Sequence, residues 1–239
     1  MLKAEAVGRS ALIHAEPGRL SVYHTHMFLS FFQANPTVAV AFLLGLVIGI
    51  TVHEASHATS AYLLGDDTAY RDGRVTLNPI SHLDVLGSLM LLMAGFGWGK
   101  PTPVVPSKLR GGVFGPVAVA LAGPVSNLVI VAFCAALYVL PPFQDSSGYL
   151  RIIVIMVAFT NALLFVFNLI PIPPLDGSKV IFPFLPRALD GFVMFMNQYG
   201  PMILLGLILI SFVTNVPIFG ILLATVQPIL TFFGLPVFF

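Results

Sequence analysis

Thr51-Val52-His53-Glu54-Ala55-Ser56-His57-Ala58 lies inside an apolar run that extends from Thr37 to Leu64. Histidines four positions apart fall on one face of a helix, so His53 and His57 can hold a single metal ion between them. Glu54 follows the first histidine directly, where it can hold and deprotonate a metal-bound water. The flanks, Gly45 to Ile50 on one side and Ala61 to Leu64 on the other, are those of a membrane segment. Two histidines and a carboxylate at that depth are costly, which marks them as functional rather than as packing residues.

Composition agrees with a membrane setting. Of 239 residues, 57% are hydrophobic and 9% charged, against about 25% charged in an ordinary soluble domain. Several long apolar runs accompany that shortfall, so the expected class is an all-α polytopic membrane protein. A net charge of +1 leaves no basic footprint for nucleic acid. The single cysteine, Cys134, sits mid-run and reads as an inert buried thiol.

About five transmembrane helices and one shorter segment are expected. Residues 1–35 read as an N-terminal tail or surface segment. Asn35 suits an N-cap and Pro36 the first helical position, so the first span runs from about Pro36 to Leu64. At 1.5 Å per residue it is roughly 40 Å long, with His53 about 15 Å from its far end. Gly65-Asp66-Asp67 ends it. A polar stretch follows, with Arg74 to Leu77 read as a short strand and Asn78-Pro79 as a turn. Val85 to Trp98 is apolar but too short for a full span, and a re-entrant or partly inserted segment fits it. Val113 to Leu140 is the second span, with an interruption expected at Gly123-Pro124. Ile152 to Ile170 is the third, and Pro171 to Pro174 should unwind the chain as it approaches Asp176. Two more spans are expected, about Phe192 to Val213 and Pro217 to the end. The organisation is therefore a membrane core over 36–190 and a C-terminal transmembrane hairpin over 191–239.

The basic residues orient this layout. If the first helix ends inside, the loops at 65–112 and 171–191 hold seven of the eleven basic residues: Arg71, Arg74, Lys100, Lys108, Arg110, Lys179 and Arg187. That bias favours a cytoplasmic position for these loops, which puts the site nearer the cytoplasmic face.

Two histidines leave a tetrahedral zinc short of one protein ligand. Asp176 is the favoured third, because it follows a span whose end should reach the depth of the two histidines. Asp66, Asp67, Asp84 and His82 read more simply as helix-end and loop residues. One Zn2+ suits two imidazoles and a carboxylate. Glu54 would then act as general base and later as proton donor to the leaving amine, the chemistry of metal-assisted amide hydrolysis. Asn127 and Asn168 are intramembrane amides with two readings: hydrogen bonding between helices, or holding an unwound substrate strand or an oxyanion.

These residues resemble the site-2 protease family of intramembrane zinc metalloproteases. The resemblance rests on His53-Glu54-Ala55-Ser56-His57, on Ala122-Gly123-Pro124-Val125-Ser126-Asn127, and on Asn168 through Gly177. Within the family the chain is most similar to the compact prokaryotic branch without PDZ or CBS domains, by Gly65 to Ala69, Leu77-Asn78-Pro79 and Gly97 to Pro101. The resemblance implies His53, His57 and Asp176 as zinc ligands, Glu54 as catalytic acid/base, and a three-helix catalytic core. It implies a substrate that is the transmembrane segment of another membrane protein, met in the lipid bilayer of a prokaryotic cell. Asn127 and Asn168 match the family asparagines thought to hold unwound substrate. The competing expectation is a metal-binding membrane protein without hydrolysis, either a transporter or an inactive scaffold. Transport would spread polar groups along a path, whereas here they concentrate at one depth.

Overall fold

The computed structural model describes residues 36–87, 97–144, 148–213 and 218–236. The N-terminal tail expectation, and most of the expected re-entrant segment at 85–98, lie outside these residues. Among them every regular element is helical, and one isolated antiparallel bridge joins Leu83 to Gly99.

Six helices carry the architecture: α1 (Pro36–Leu63), α2 (Phe114–Tyr138), α3 (Tyr149–Asn168), α4 (Asp176–Ile181), α5 (Asp190–Val213) and α6 (Ile218–Phe232). Four of the described stretches, those of α1, α2, α3 and α5, are long and apolar enough to cross a membrane. The fifth expected span is α6, apolar but only 15 residues long, about 22 Å at 1.5 Å per residue.

α1, α2 and α3 pack against one another in all three pairs, and α6 lies on α3. Their shared core joins Val38, Ala41, Phe42 and Leu46 of α1 to Val131 and Cys134 of α2. Met156 to Phe159 and Ala162 of α3, with Val226 and Leu230 of α6, complete it. α5 stands apart: only 17% of its most apolar window is buried, so most of its surface faces whatever surrounds the bundle. It packs lightly on α6 and comes close to the turn after α3, because a Cβ at Gly200 would lie 2.7 Å from the carbonyl oxygen of Pro173.

Helices in lipid gain little from hiding apolar surface, so they associate through close packing of small residues. Gly45 and Gly49, one turn apart on α1, serve that purpose. A Cβ at Gly45 would lie 3.1 Å from the Val157 Cα, and one at Gly49 would lie 2.6 Å from Leu164 Cδ1 and 2.8 Å from Asn161 Oδ1. The α3 backbone therefore runs against α1 where α1 has no side chains.

α1 ends as its sequence anticipates. Gly65 adopts φ 110°, and the Asp66 N–H reaches back to the Ala61 carbonyl at 2.9 Å, the usual closure of a helix by a left-handed glycine. Arg110 then covers two more of the exposed carbonyls, its N–H donating to Leu64 O and its guanidinium to Leu63 O, both at 2.8 Å. The α2 interruption does not occur: the helix continues through Pro124. A proline deletes one donor and crowds one turn, and a helix packed on two sides absorbs that. The strand expected at Arg74 to Leu77 is absent as well; the chain bends there. A ladder needs a neighbouring strand, and here side chains satisfy the backbone instead, as where His82 Nε2–H donates to Thr76 O at 2.8 Å.

Asp66 anchors the polar loop. Its side chain is fully buried and accepts from the Val105 N–H at 2.6 Å, from the Thr68 N–H at 3.1 Å and from the Thr68 hydroxyl. Burial alone would raise its pKa, but these donors, with Lys108 3.7 Å away, hold it below the usual carboxylate range. A carboxyl group with a lowered folded-state pKa stabilises the fold above its unfolded value and loses that contribution as pH falls through the folded value. The stability gap between wild type and Asp66→Asn should therefore be full at pH 6 and shrink below about pH 4, measured by thermal unfolding in detergent. For the helix contact, Gly49→Val should cost about 1–3 kcal/mol by overpacking. Gly206→Val, where a Cβ meets nothing within 4 Å, should leave the unfolding temperature unchanged.

Candidate metal centre

His53 and His57 project from the buried side of α1. Asp176 is the first residue of α4, delivered by the Pro171–Leu175 turn that follows α3. Gly177 makes that delivery possible, since a Cβ there would lie 2.2 Å from the Leu169 carbonyl oxygen. The three side chains converge. His53 Nε2, His57 Nε2 and Asp176 Oδ2 form a triangle with every edge 3.0 Å, and the three residues are only 6%, 6% and 4% exposed.

The protons around this triangle can be placed from its surroundings. His57 Nδ1 lies 2.7 Å from the carbonyl oxygen of Val119. A carbonyl only accepts, so Nδ1 carries a proton, and in the neutral ring Nε2 then presents a lone pair. His53 Nδ1 lies 2.7 Å from Asn127 Oδ1. The amide of Asn127 is oriented in turn, because its Nδ2 donates to Gly49 O at 3.2 Å and to Asn161 Oδ1 at 2.9 Å. Asn161 is held the same way, its Nδ2 donating to Gly45 O at 3.3 Å and to Val157 O at 2.8 Å. A chain of directed hydrogen bonds thus runs from backbone carbonyls of α1 and α3 through two asparagines to His53, and leaves its Nε2 bare too.

Two imidazole lone pairs and a carboxylate oxygen at mutual distances of 3.0 Å repel one another unless a cation lies among them. A tetrahedral zinc with bonds near 2.1 Å separates its ligand atoms by about 3.4 Å, close to the observed triangle. The donor set, two neutral imidazoles and one carboxylate, therefore fits the ion. Among the described residues, His53, His57 and Asp176 form the group that could hold a metal. Lys179 Nζ donates to the other oxygen of Asp176 at 2.9 Å, so Oδ1 is engaged while Oδ2 faces the histidines.

Gly123 provides clearance. A Cβ there would lie 2.4 Å from His57 Nε2 and 2.6 Å from His53 Nε2, so α2 can back onto the histidine pair only with a glycine at this position. Glu54 is half-buried beside the triangle and hydrogen-bonded to Thr102, from the Thr102 N–H at 2.9 Å and from its hydroxyl at 2.7 Å.

The two asparagines singled out from sequence part company. Asn127 is fully buried and committed to His53, Gly49 and Asn161, so its amide is spent on orienting a histidine rather than open to a substrate strand. Asn168 bonds within its own helix, donating to Leu164 O at 3.0 Å, and is half-buried. The other alternative ligands lie elsewhere: Asp66 serves the loop anchor, and His82 bonds Thr76. Sequence reasoning passed over Asn161, Gly123, Thr102 and Lys179 as site residues. The signal available for Asn161 was its place seven residues before Asn168, on nearly the same helix face.

Comparison with known proteins adds independent information. The chain is 40% identical over 162 residues to YwhC of Bacillus subtilis (strain 168), an alignment covering 65% of this chain and 74% of YwhC. It is 28% identical over 182 residues to Rip2 of Mycolicibacterium smegmatis, covering 72% of this chain and 68% of Rip2. Rip2 of Mycobacterium tuberculosis (strain Erdman) is 34% identical over 155 residues, covering 62% of this chain and 58% of that protein. All of these names assign their bearers to the zinc metalloproteases, provisionally. No protein-family model matches the chain, and no solved structure does. A buried His, His, Asp triangle inside a bundle of membrane-length helices, joined to 40% identity over 74% of YwhC, makes this chain a member of the site-2 protease family of intramembrane zinc metalloproteases.

Proposed function

We propose that the chain hydrolyses peptide bonds within or near the transmembrane segments of other membrane proteins. His53, His57 and Asp176 would hold one zinc ion, and Glu54 would be the acid/base. The observation that carries this reading is the triangle of three bare acceptor atoms, 3.0 Å on each edge, with Glu54 one residue from His53. Bound there, zinc would polarise a carbonyl and bring the pKa of water to about 7.

The chain's own residues supply the rest. Val119 O and the Asn127–Asn161 pair hold the two histidines in the tautomer that ligation needs. Lys179 keeps Asp176 presenting one oxygen. Glu54 takes a proton from the attacking water and later delivers it to the departing amine, so the carboxylate ends the cycle as it began. A substrate helix must open locally before this can happen, because its carbonyls are sequestered in its own hydrogen bonds. The excess of Lys and Arg in the loops at 65–112 and 171–191 supports a site nearer the cytoplasmic face of a prokaryotic cell membrane. A transporter reading is less well supported, since the buried polar groups gather at one depth and α2 carries no charged side chain.

Two measurements test this. With single-span membrane segments as substrates in detergent, Glu54→Gln should reduce cleavage at least about 100-fold while retaining close to one zinc per chain. Cleavage unchanged by that substitution would sink the acid/base role. Gly123→Ala should give a folded protein whose zinc content falls well below that of wild type, because the added methyl occupies the space against both Nε2 atoms; full zinc occupancy would contradict the packing described.

A further inference from the structure

We propose that Thr102 is a positioning residue for Glu54: it holds one carboxylate oxygen, Oε2, and so leaves Oε1 as the oxygen that handles the proton. The inference rests on the acid/base reading of Glu54 given above. Oε2 accepts from the Thr102 N–H at 2.9 Å and from the Thr102 hydroxyl at 2.7 Å. The same hydroxyl is 3.1 Å from the Glu54 carbonyl, but one proton serves one acceptor at a time, and the shorter, charge-assisted contact is the stronger. Oε1 receives no hydrogen bond from the described residues.

Two donors on one oxygen fix both the distance and the plane of a carboxylate. A glutamate turns about three side-chain bonds, so an unheld Glu54 would sweep its oxygens through many positions. A general base has to lie within hydrogen-bond reach of the proton it takes, and holding Oε2 places Oε1 without occupying it.

Thr102 can hold Glu54 because its own segment is held. Two residues earlier, Lys100 is fixed at both polar atoms of its main chain. Its N–H donates to His82 O at 2.7 Å, and its carbonyl accepts from the guanidinium of Arg74. Arg74 is 1% exposed, a buried cation committed to a loop carbonyl. Gly99 brings this segment onto α1, since a Cβ there would lie 2.7 Å from Ile50 Cγ2, one turn before Glu54, and 3.1 Å from His82 O. The 99–102 stretch is therefore a brace laid across the helix that carries the histidines.

The test uses the full chain in detergent and four proteins: wild type, Glu54→Gln, Thr102→Val and Thr102→Ser. Valine keeps the shape and the backbone N–H but removes the hydroxyl; serine keeps the hydroxyl and removes the methyl. The infrared difference between wild type and Glu54→Gln isolates the Glu54 carboxylate. Its antisymmetric stretch should shift in Thr102→Val and stay in place in Thr102→Ser. With the single-span segment that wild type cuts fastest, Thr102→Val should lower kcat about 10- to 100-fold, with KM and zinc content unchanged, and Thr102→Ser should stay near wild type. The proposal is overturned by an unmoved carboxylate band, by a Thr102→Val protein that keeps the wild-type kcat, or by a change in KM alone. Equal losses in the serine and valine proteins would assign the effect to the methyl group and overturn it too. If Glu54→Gln itself still cleaves, the acid/base reading is what fails, and the role of Thr102 falls with it.

Discussion

Three acceptor atoms 3.0 Å apart in a buried site are the constraint on which the rest of this protein depends. Left to themselves they would separate. They are held together because each is gripped from behind: His57 by a backbone carbonyl, His53 by an oriented amide chain, Asp176 by Lys179 and by its place at the start of α4. Each grip comes from a different part of the chain, and the three converge only if α1, α2, α3 and the proline-rich turn are all in register. Bundle packing and metal-site geometry are in this sense one problem.

That register is set by absence of side chains as much as by their presence. Gly45 and Gly49 let α3 approach α1, which brings Asn161 within reach of Asn127. Gly123 lets α2 approach the histidines, Gly177 lets Asp176 turn back toward them, and Gly99 lets the polar loop settle on α1. In lipid, where burying apolar surface gains little, the contacts that decide the arrangement are those in which one backbone nearly touches another. The polar loop adds a second frame outside the spans, built on Asp66 and Arg74, buried ionic side chains that bind backbone groups of distant segments.

Much of this was legible in the chain itself. α1 begins at Pro36 and stops at Leu63, one residue short of the expected Leu64 and two before Gly65, because Pro and Gly announce helix ends by geometry alone. The proline run after α3 gave away the turn that delivers Asp176. Two local signals misled. Pro124 looked like a break, yet removing a single donor does not end a helix flanked on both sides. Arg74 to Leu77 had strand composition, but β structure depends on a neighbour that composition does not supply. The choice between Asn161 and Asn168 could not be made from the chain, since both lie on one face of α3 and only the depth at which α3 meets α1 distinguishes them. Thr102 was invisible for a like reason: it is 48 residues from Glu54, and no local pattern links a loop threonine to a helix carboxylate.

The two histidines are secured by different kinds of chemistry. His57 leans on the main chain of Val119, and every amino acid has a carbonyl, so no single substitution at position 119 can erase that acceptor. His53 leans on Asn127, which leans on Asn161, so its orientation is spelled out in side chains that one codon change can delete. Half of the imidazole pair is thus guarded by the polymer and half by the genome. Mutational drift in this protein would first loosen the imidazole that has the longer chain of custody.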